Sequence, residues 1–542
     1  MKASDDVSVP PAPIAEKSRK WQPATLPRLE ILVYAGYYIA NITGAFVLVW
    51  LETEKLKTSQ NRWEYVDTDG SPLTGWLKAA DCHDWEWFLT IASKYIVCLS
   101  ANSLMIVITD WLQLTVGAQK NTLMFLSLML HVCYFGLMQT CTVLLLSLLT
   151  ISMCVRHQSM LPVWLLAAFE LKFVNPFILV QLRVHDNPTA DNWAQVTPTH
   201  LLYTYKCLSL ISFCGHVAKR ENQDKLSNTK SAFPREWAMF REYIFYAFYW
   251  PYSICVITGY ADFTRQWAER GSQKRKWFRI TLDAVKLIIC TFLMEIWLHY
   301  LYQTTFMSNP RLLSKLSGPA SFSMGILAGS QFHLKYYVIF GLPNLFASID
   351  RLQPLPSPRC VLRTTLYSQM WRGFDRGLYY WVKDNIYLPL ISIFNKWGGP
   401  VKKLSGLLGT YAFVIAWHGA DRNIIRWCVI SCLELILEMF GSALYTNSAF
   451  RVRFDQSLSP ANQRRVIGII QIVPTAMGIL GVYHFLGSLN AGEIIEYNCW
   501  SNVIAYPYMA IAWAMLFYTM NQVGIESDAW EQSGQKIHGK SE

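Results

Sequence analysis

Residues 122–155 read TLMFLSLMLHVCYFGLMQTCTVLLLSLLTISMCV and contain no Asp, Glu, Lys or Arg. A helix crosses the hydrocarbon core with about 20 mainly apolar residues, so this stretch is long enough for two crossings. Outward from it, further apolar runs occupy 31–51, 88–109, 160–182, 201–217, 281–304, 318–346, 404–419, 424–441, 466–488 and 500–521. By the same length rule the chain is expected to hold about ten to twelve spans. Composition agrees: 52% of the 542 residues are hydrophobic and 16% are charged, against roughly 25% charged in soluble domains. The 22 Trp and 28 Tyr suit membrane interfaces, where an apolar ring and a polar tip are both satisfied. No linker-like stretch interrupts the apolar runs. The expected fold is all-α and integral to the membrane. It comprises one multi-pass domain over 31–523, a polar tail at 1–30 and a tail at 524–542.

The net charge of +11 does not indicate nucleic acid, because the basic residues lie in short loops between apolar runs. That arrangement orients membrane helices. Lys17, Arg19, Lys20 and Arg28 precede the first run, which puts the N terminus in the cytosol. Arg451, Arg453, Arg464 and Arg465 mark a later cytosolic loop, and parity then places the C terminus on the same side. The loop at 52–84 and the acidic stretch with Glu493 and Glu496 fit the lumen. The 13 Cys lie mostly inside apolar runs without a CxxC pair, which disfavours a disulfide framework or zinc site. Residues 1–30 lack a short apolar core, so no cleaved signal peptide is expected.

Two segments break the alternation. Residues 240–260, FREYIFYAFYWPYSICVITGY, are apolar enough to span. Yet Lys219 and Arg220 precede them, and Arg265, Lys274, Arg275 and Lys276 follow. Basic flanks on both sides favour a segment that enters and returns, with Pro251 as its break. Residues 360–390, CVLRTTLYSQMWRGFDRGLYYWVKDNIYLPL, mix four basic residues with aromatics. They read either as an interfacial helix or as a second re-entrant segment.

Ionisable groups within apolar runs are costly and become functional candidates. His418 ends GLLGTYAFVIAWHG, towards the lumen by parity. A neutral imidazole there would accept a proton from a nucleophile, while the plain alternative is an interfacial His beside Trp417. Asp375 sits in WRGFDRGLYYW, where a local ion pair with Arg372 or Arg376 is the plain alternative. His131, Glu295, His299 and His333 are expected to pack or hydrogen-bond. No P-loop, dinucleotide fingerprint, GxSxG elbow or HExxH motif is present, which disfavours the corresponding soluble chemistries.

YYVIFGLPNLFASIDRLQPLPSPRCV, MWRGFDRGLYYWVKDNIYLPL and AFVIAWHG, all beyond residue 335, resemble the core signature of membrane-bound O-acyltransferases. In that family an acidic or amide residue in an aromatic, basic segment is followed some forty residues later by an intramembrane His. Asp375 and His418 match that pair. The Asp in its MWRGFDRGL setting is similar to the Hedgehog acyltransferase branch, as are EILVYAGYY, YAFYWPYSICVITGYADFTRQW and SPANQRRV. LISIFNKWGGPVKKLSG and the DRN after WHGA depart from the family.

The resemblance implies a palmitoyltransferase of the endoplasmic reticulum membrane. It would take palmitoyl-CoA from the cytosolic side and pass the acyl group through a central tunnel. The acceptor would be the N-terminal Cys of a secreted Hedgehog-like protein. His418 and Asp375 would be catalytic, with His418 as general base and Asp375 orienting or activating the acceptor, and either of the two could be the one that removes the proton. Trp371 and Arg372 would line the tunnel, and Trp371 matches a gating position. Cys360 matches a haem iron ligand, with a structural haem b as possible cofactor, and Arg359 would favour its thiolate. The alternatives are a silent relative acting as a secretory-pathway regulator, or an acyltransferase for another peptide or lipid. A transporter would need repeated pairs of broken helices, which the sequence lacks.

Overall fold

The computed structural model describes residues 23–59, 68–71, 73–79, 81–170, 190–227, 235–363, 365–488 and 490–538. At 68–69, 190–200, 220–227, Arg235 and 532–538 it describes the backbone alone. The expected span at 160–182 and the basic flank Lys17, Arg19 and Lys20 fall partly or wholly outside these residues.

The described chain is helical apart from a short hairpin, β1 (Thr68–Gly70) with β2 (Leu77–Ala79). Among the described residues five helices are long and apolar enough to cross a membrane: Arg28–Thr58, His83–Trp111, Leu137–His157, Arg422–Thr446 and Pro460–Leu486. Other expected spans are helices that carry more polar groups. Trp277–Tyr300 holds Asp283, Lys286 and Glu295, and Gly318–Ile349 holds Gln331, His333 and Lys335. The 122–155 stretch forms two helices, Val116–Phe135 and Leu137–His157. Thr115 Oγ1 caps the first at Ala118 N (3.3 Å), and Gly136 breaks the pair with φ +94°, a conformation glycine adopts without a Cβ penalty. The expected 500–521 span is corrected: the chain breaks between Ala491–Ala505 and Tyr508–His538. Pro507 lacks the N–H needed to continue the first helix.

Gly318–Ile349 is the central helix. It starts with Ser317 Oγ accepting from Ala320 N (3.4 Å) and packs along Arg28–Thr58, Trp277–Tyr300 and Ala491–Ala505. Small residues permit the close approach. A Cβ on Gly325 would overlap the Tyr483 ring, and one on Gly341 would overlap Leu287, the close helix contact that membrane bundles use in place of solvent-driven packing.

Polar contacts tie each end of the bundle. At one end Glu295 binds Lys78 Nζ (3.1 Å), Trp85 Nε1 (2.5 Å) and Ser71 Oγ, pinning the hairpin. At the other end Arg464 and Arg465 are not free loop charges. Arg464 is buried on Glu526 (2.7 Å), Gln522 (2.8 Å) and the Ala24 carbonyl (2.8 Å), and Arg465 holds Glu30 (2.6 Å). They gather the start of the first helix and the last helix at one end.

The 240–260 segment enters and returns. It runs as Arg235–Ala247, a tight turn at Trp250–Tyr252 that includes Pro251, an extended stretch, and Tyr260–Glu269. Glu242 meets Lys120 (3.0 Å) near the start of Val116–Phe135, and Arg270 meets Asp110 (2.9 Å) at the end of His83–Trp111. These anchors lie on either side of the short turn joining those two helices, so the segment leaves and rejoins the same end.

Candidate active site

Residues 360–390 form no single interfacial helix. They break into Tyr367–Gly373, Arg376–Val382, a π turn at Lys383–Tyr387, and Leu388–Ile393. Trp381 lies against Phe413, whereas Tyr387 and Leu390 lie against Gly406 and Gly409, earlier on the Gly399–His418 helix. Tyr367 meets Ser431 and Trp371 meets Trp427, so the first piece runs towards the His418 end. From Trp381 to Tyr387 the chain runs towards the Gly399 end, so the segment reverses at Phe374 and Asp375. Gly406 and Gly409 admit it closely, since a Cβ at either would meet Tyr387 or Leu390 below 3 Å.

Asp375 occupies the bend between the first two pieces. Its Oδ1 accepts from Leu378 N at 2.8 Å, capping Arg376–Val382. Among the described residues it forms no ion pair, which removes the plain alternative of a local pair with Arg372 or Arg376. Arg372 turns back on its own helix, donating to Ser368 O (2.9 Å) and Ser368 Oγ (2.8 Å), and is exposed. Asp375 lines a small, open pocket with Cys255, Val256, Phe340, Asn344 and Gly377. The two re-entrant segments therefore meet at Asp375. At Gly377 a Cβ would stand 2.1 Å from the Ile257 carbonyl oxygen, so only glycine permits this approach. Asn344 Oδ1 and Arg376 Nε are buried without a hydrogen bond, leaving polar capacity at the pocket. A second pocket lies against Ile151, Phe213 and Met239 and contains none of the candidate residues.

His418 ends its helix, followed by Gly419 at φ +91°. Its ring meets Trp427 (5.7 Å) and Phe485 (5.6 Å) edge-on. Trp427 stacks on Trp371 at 5.6 Å. Phe485 meets Phe332 at 5.7 Å, and Phe332 stacks on Phe374 at 5.0 Å. An aromatic wall thus joins His418 to Trp371 and Phe374, on the approach to the Asp375 bend. Trp371 Nε1 is buried without a partner, although the ring also lies 5.8 Å from Tyr411. Its role here is at least packing.

The surroundings of Cys360 lend no support of their own to an iron thiolate. Arg359 is paired with Asp528 and Arg363 with Glu531, so neither guanidinium is reserved for the sulfur. Burial pushes the Cys360 thiol up from its ordinary value despite those arginines. No group of three or more potential metal-ligating His, Cys, Asp or Glu side chains is found among the described residues. No step is derived through haem.

Of the remaining polar groups, His131 bonds Ser127 O (2.7 Å) and Ser253 Oγ (2.8 Å), and His299 bonds Leu77 O (2.6 Å). His333 differs, because its Nδ1 is buried without a hydrogen bond. Two residues escaped the sequence reading. Lys206, within the 201–217 run, donates to Ser253 Oγ (2.6 Å), Ser253 O (3.2 Å) and Ala247 O, closing the turn of the first re-entrant segment. Glu438, on Arg422–Thr446, accepts from Ser368 N (3.2 Å) at the start of the second. A charge inside an apolar run was the available signal for both.

Residues 153–473 match the model of the membrane-bound O-acyltransferase family, MBOAT. The chain is 26% identical over 396 residues to a mouse protein named protein-cysteine N-palmitoyltransferase HHAT, covering 71% of this chain and 75% of that protein. It is 27% identical over 259 residues to protein-cysteine N-palmitoyltransferase Rasp of Drosophila melanogaster, covering 47% and 50%. Membrane-bound O-acyltransferase gup1 of Schizosaccharomyces pombe is 25% identical over 200 residues, covering 36% and 33%. With more than half its length matched, this chain belongs to the membrane-bound O-acyltransferase family of acyltransferases.

Proposed function

We propose that this acyltransferase moves palmitate from palmitoyl-CoA to the N-terminal Cys of a secreted Hedgehog-like protein, in the endoplasmic reticulum membrane with both termini cytosolic. The observation that carries the reading is the aromatic wall, which links His418 through Trp427 to Trp371 and through Phe485 and Phe332 to Phe374, the residue before Asp375. The HHAT and Rasp names support the donor and acceptor.

In this reading His418 takes the proton from the acceptor group as it attacks the thioester carbonyl. The carbon–sulfur bond breaks, the acyl group passes to the acceptor, and coenzyme A leaves as its thiol after taking up a proton. Asp375 orients the acceptor. Trp371 and Arg372 border the donor tunnel, and the apolar wall shelters the acyl chain, whose burial contributes about 0.8 kcal/mol per methylene. The similarity to gup1 favours a second reading, the same transfer to another acceptor.

The test is transfer of labelled palmitate to a Cys-led Hedgehog-type peptide by purified protein, comparing wild type with Asp375→Ala and His418→Ala. Transfer by wild type alone is expected. Undiminished transfer by both variants would reject the residue roles, and no transfer by wild type to any Cys-led peptide would favour another acceptor.

A further inference from the structure

Where the His83–Trp111 helix ends, three guanidiniums converge on one carboxylate. Arg270 donates to Asp110 at 3.2 and 2.9 Å and to Gln119 Oε1 at 2.7 Å. Arg351 Nη2 stands 2.5 Å from Asp110 Oδ2. Arg275 gives Nε to the Ile349 carbonyl (2.8 Å), while its Nη2 lies 3.5 Å from Asp110 Oδ2 without a hydrogen bond. Three positive charges against one negative leave an excess of two. The adjoining Asp350 faces Asn102 Nδ2 (3.2 Å) and Tyr249 OH (2.6 Å). Even counting its charge, an excess of one remains.

An excess of buried charge is costly and calls for a counter-charge. Two donors are available to one, since Arg275 Nη2 and Arg351 Nε are buried with no hydrogen-bond partner. The Arg275 and Arg351 side chains keep 20% and 19% of their surface exposed, so the site is open at its edge. Arg351 also holds φ at +65°, a left-handed helix-end position that favours glycine. Beside the cluster, Trp277 and Phe278 are exposed at the start of their helix, as interfacial aromatics are. Planar guanidiniums with unused donors match the oxygens of a phosphate.

We propose that Arg275 and Arg351, backed by Arg270, bind a phosphate-bearing ligand at this end of the bundle. The same chemistry has two sources: the nucleotide phosphates of an acyl-CoA donor, or the headgroup of an anionic phospholipid. The loop from Arg351 reaches Pro356 and Pro358 in the wall of the Asp375 pocket, a path that suits a donor. The phosphate site itself does not depend on which protein accepts the acyl group.

Full-length protein in phosphatidylcholine nanodiscs is treated with phenylglyoxal, and modification of Arg275 and Arg351 is followed by mass spectrometry. Inorganic diphosphate, coenzyme A, or phosphatidylinositol phosphate built into the disc is added at matched ionic strength. Slowing by about tenfold at both arginines is expected, the scale of one charge-assisted contact. Protection by coenzyme A, with about tenfold weaker coenzyme A binding in Arg351→Gln, identifies the donor as the source. Protection by the lipid without protection by coenzyme A identifies the headgroup. Protection by diphosphate alone supports the site with a smaller ligand. Protection by none of the three overturns the proposal, and this footprint uses wild-type protein, so it needs neither a folded variant nor turnover.

Discussion

The two re-entrant segments meet at Gly377 and Ile257, yet they are built differently. From Tyr243 to Thr258 every residue of the first is buried, and its turn is held by Lys206 and His131 through Ser253. In the second, only Tyr367, Gly373, Gly377 and Trp381 are buried between 367 and 382. Its bend relies on the Asp375 cap, with Glu438 behind Ser368 and Trp381 Nε1 on Leu208 O (2.9 Å). A segment buried throughout, whose buried side-chain N and O atoms are paired apart from Trp250 Nε1, makes a rigid floor. A half-buried one with unpaired Trp371 Nε1 and Arg376 Nε keeps polar capacity for a substrate. On this contrast the first segment is scaffold and the second works against it.

The contrast can be broken by substitutions of decreasing effect on transfer. His418→Ala should lower kcat by about 10²–10⁴-fold, the range for removing a general base, with little change in melting temperature. A loss below tenfold would reduce His418 to an interfacial residue. Gly377→Ala forces a Cβ against the Ile257 carbonyl. It should cost about 1–3 kcal/mol in thermal unfolding and lower kcat at least tenfold by separating the segments. Normal turnover would show that their contact is incidental. Glu438→Ala should slow transfer several-fold through a loosened start of the second segment, and Glu438→Gln, which can still accept from Ser368 N, should restore most of it. Lys206→Met should cost about 1–3 kcal/mol by stranding the acceptors of the first segment, while kcat per folded molecule stays near wild type. A large loss of kcat at unchanged stability would move the first segment from scaffold to machinery.

Much of this arrangement was legible beforehand. Charge-free runs announced the helices, and the two-sided basic flanks of 240–260 marked an entering and returning segment. Asp375 and His418 came from resemblance, because each also had a plain explanation. The choice between an interfacial and a re-entrant 360–390 depended on contacts with Phe413, Gly406 and Gly409, distant in sequence from much of the segment. Pro507 was visible but was absorbed into an apolar run, hiding the break it imposes. Lys206 and Glu438 were legible as charges in apolar runs, whereas their partners Ser253 and Ser368 belong to other segments and emerge only from packing. The pairing of Arg359 with Asp528 and of Arg363 with Glu531 was equally out of reach, and with the burial of Cys360 it weakens the electrostatic case for a thiolate there.

Asp375 tests the division of labour most directly, because capping and catalysis make different demands on it. Asparagine preserves the cap on Leu378 N but not the charge. The decisive measurement is kcat per folded molecule for Asp375→Asn with palmitoyl-CoA and a Cys-led peptide. The expected result is a loss of about 100-fold or more with an unchanged melting temperature. Turnover at the wild-type rate would show that Asp375 only shapes the bend, and would contradict a working second segment.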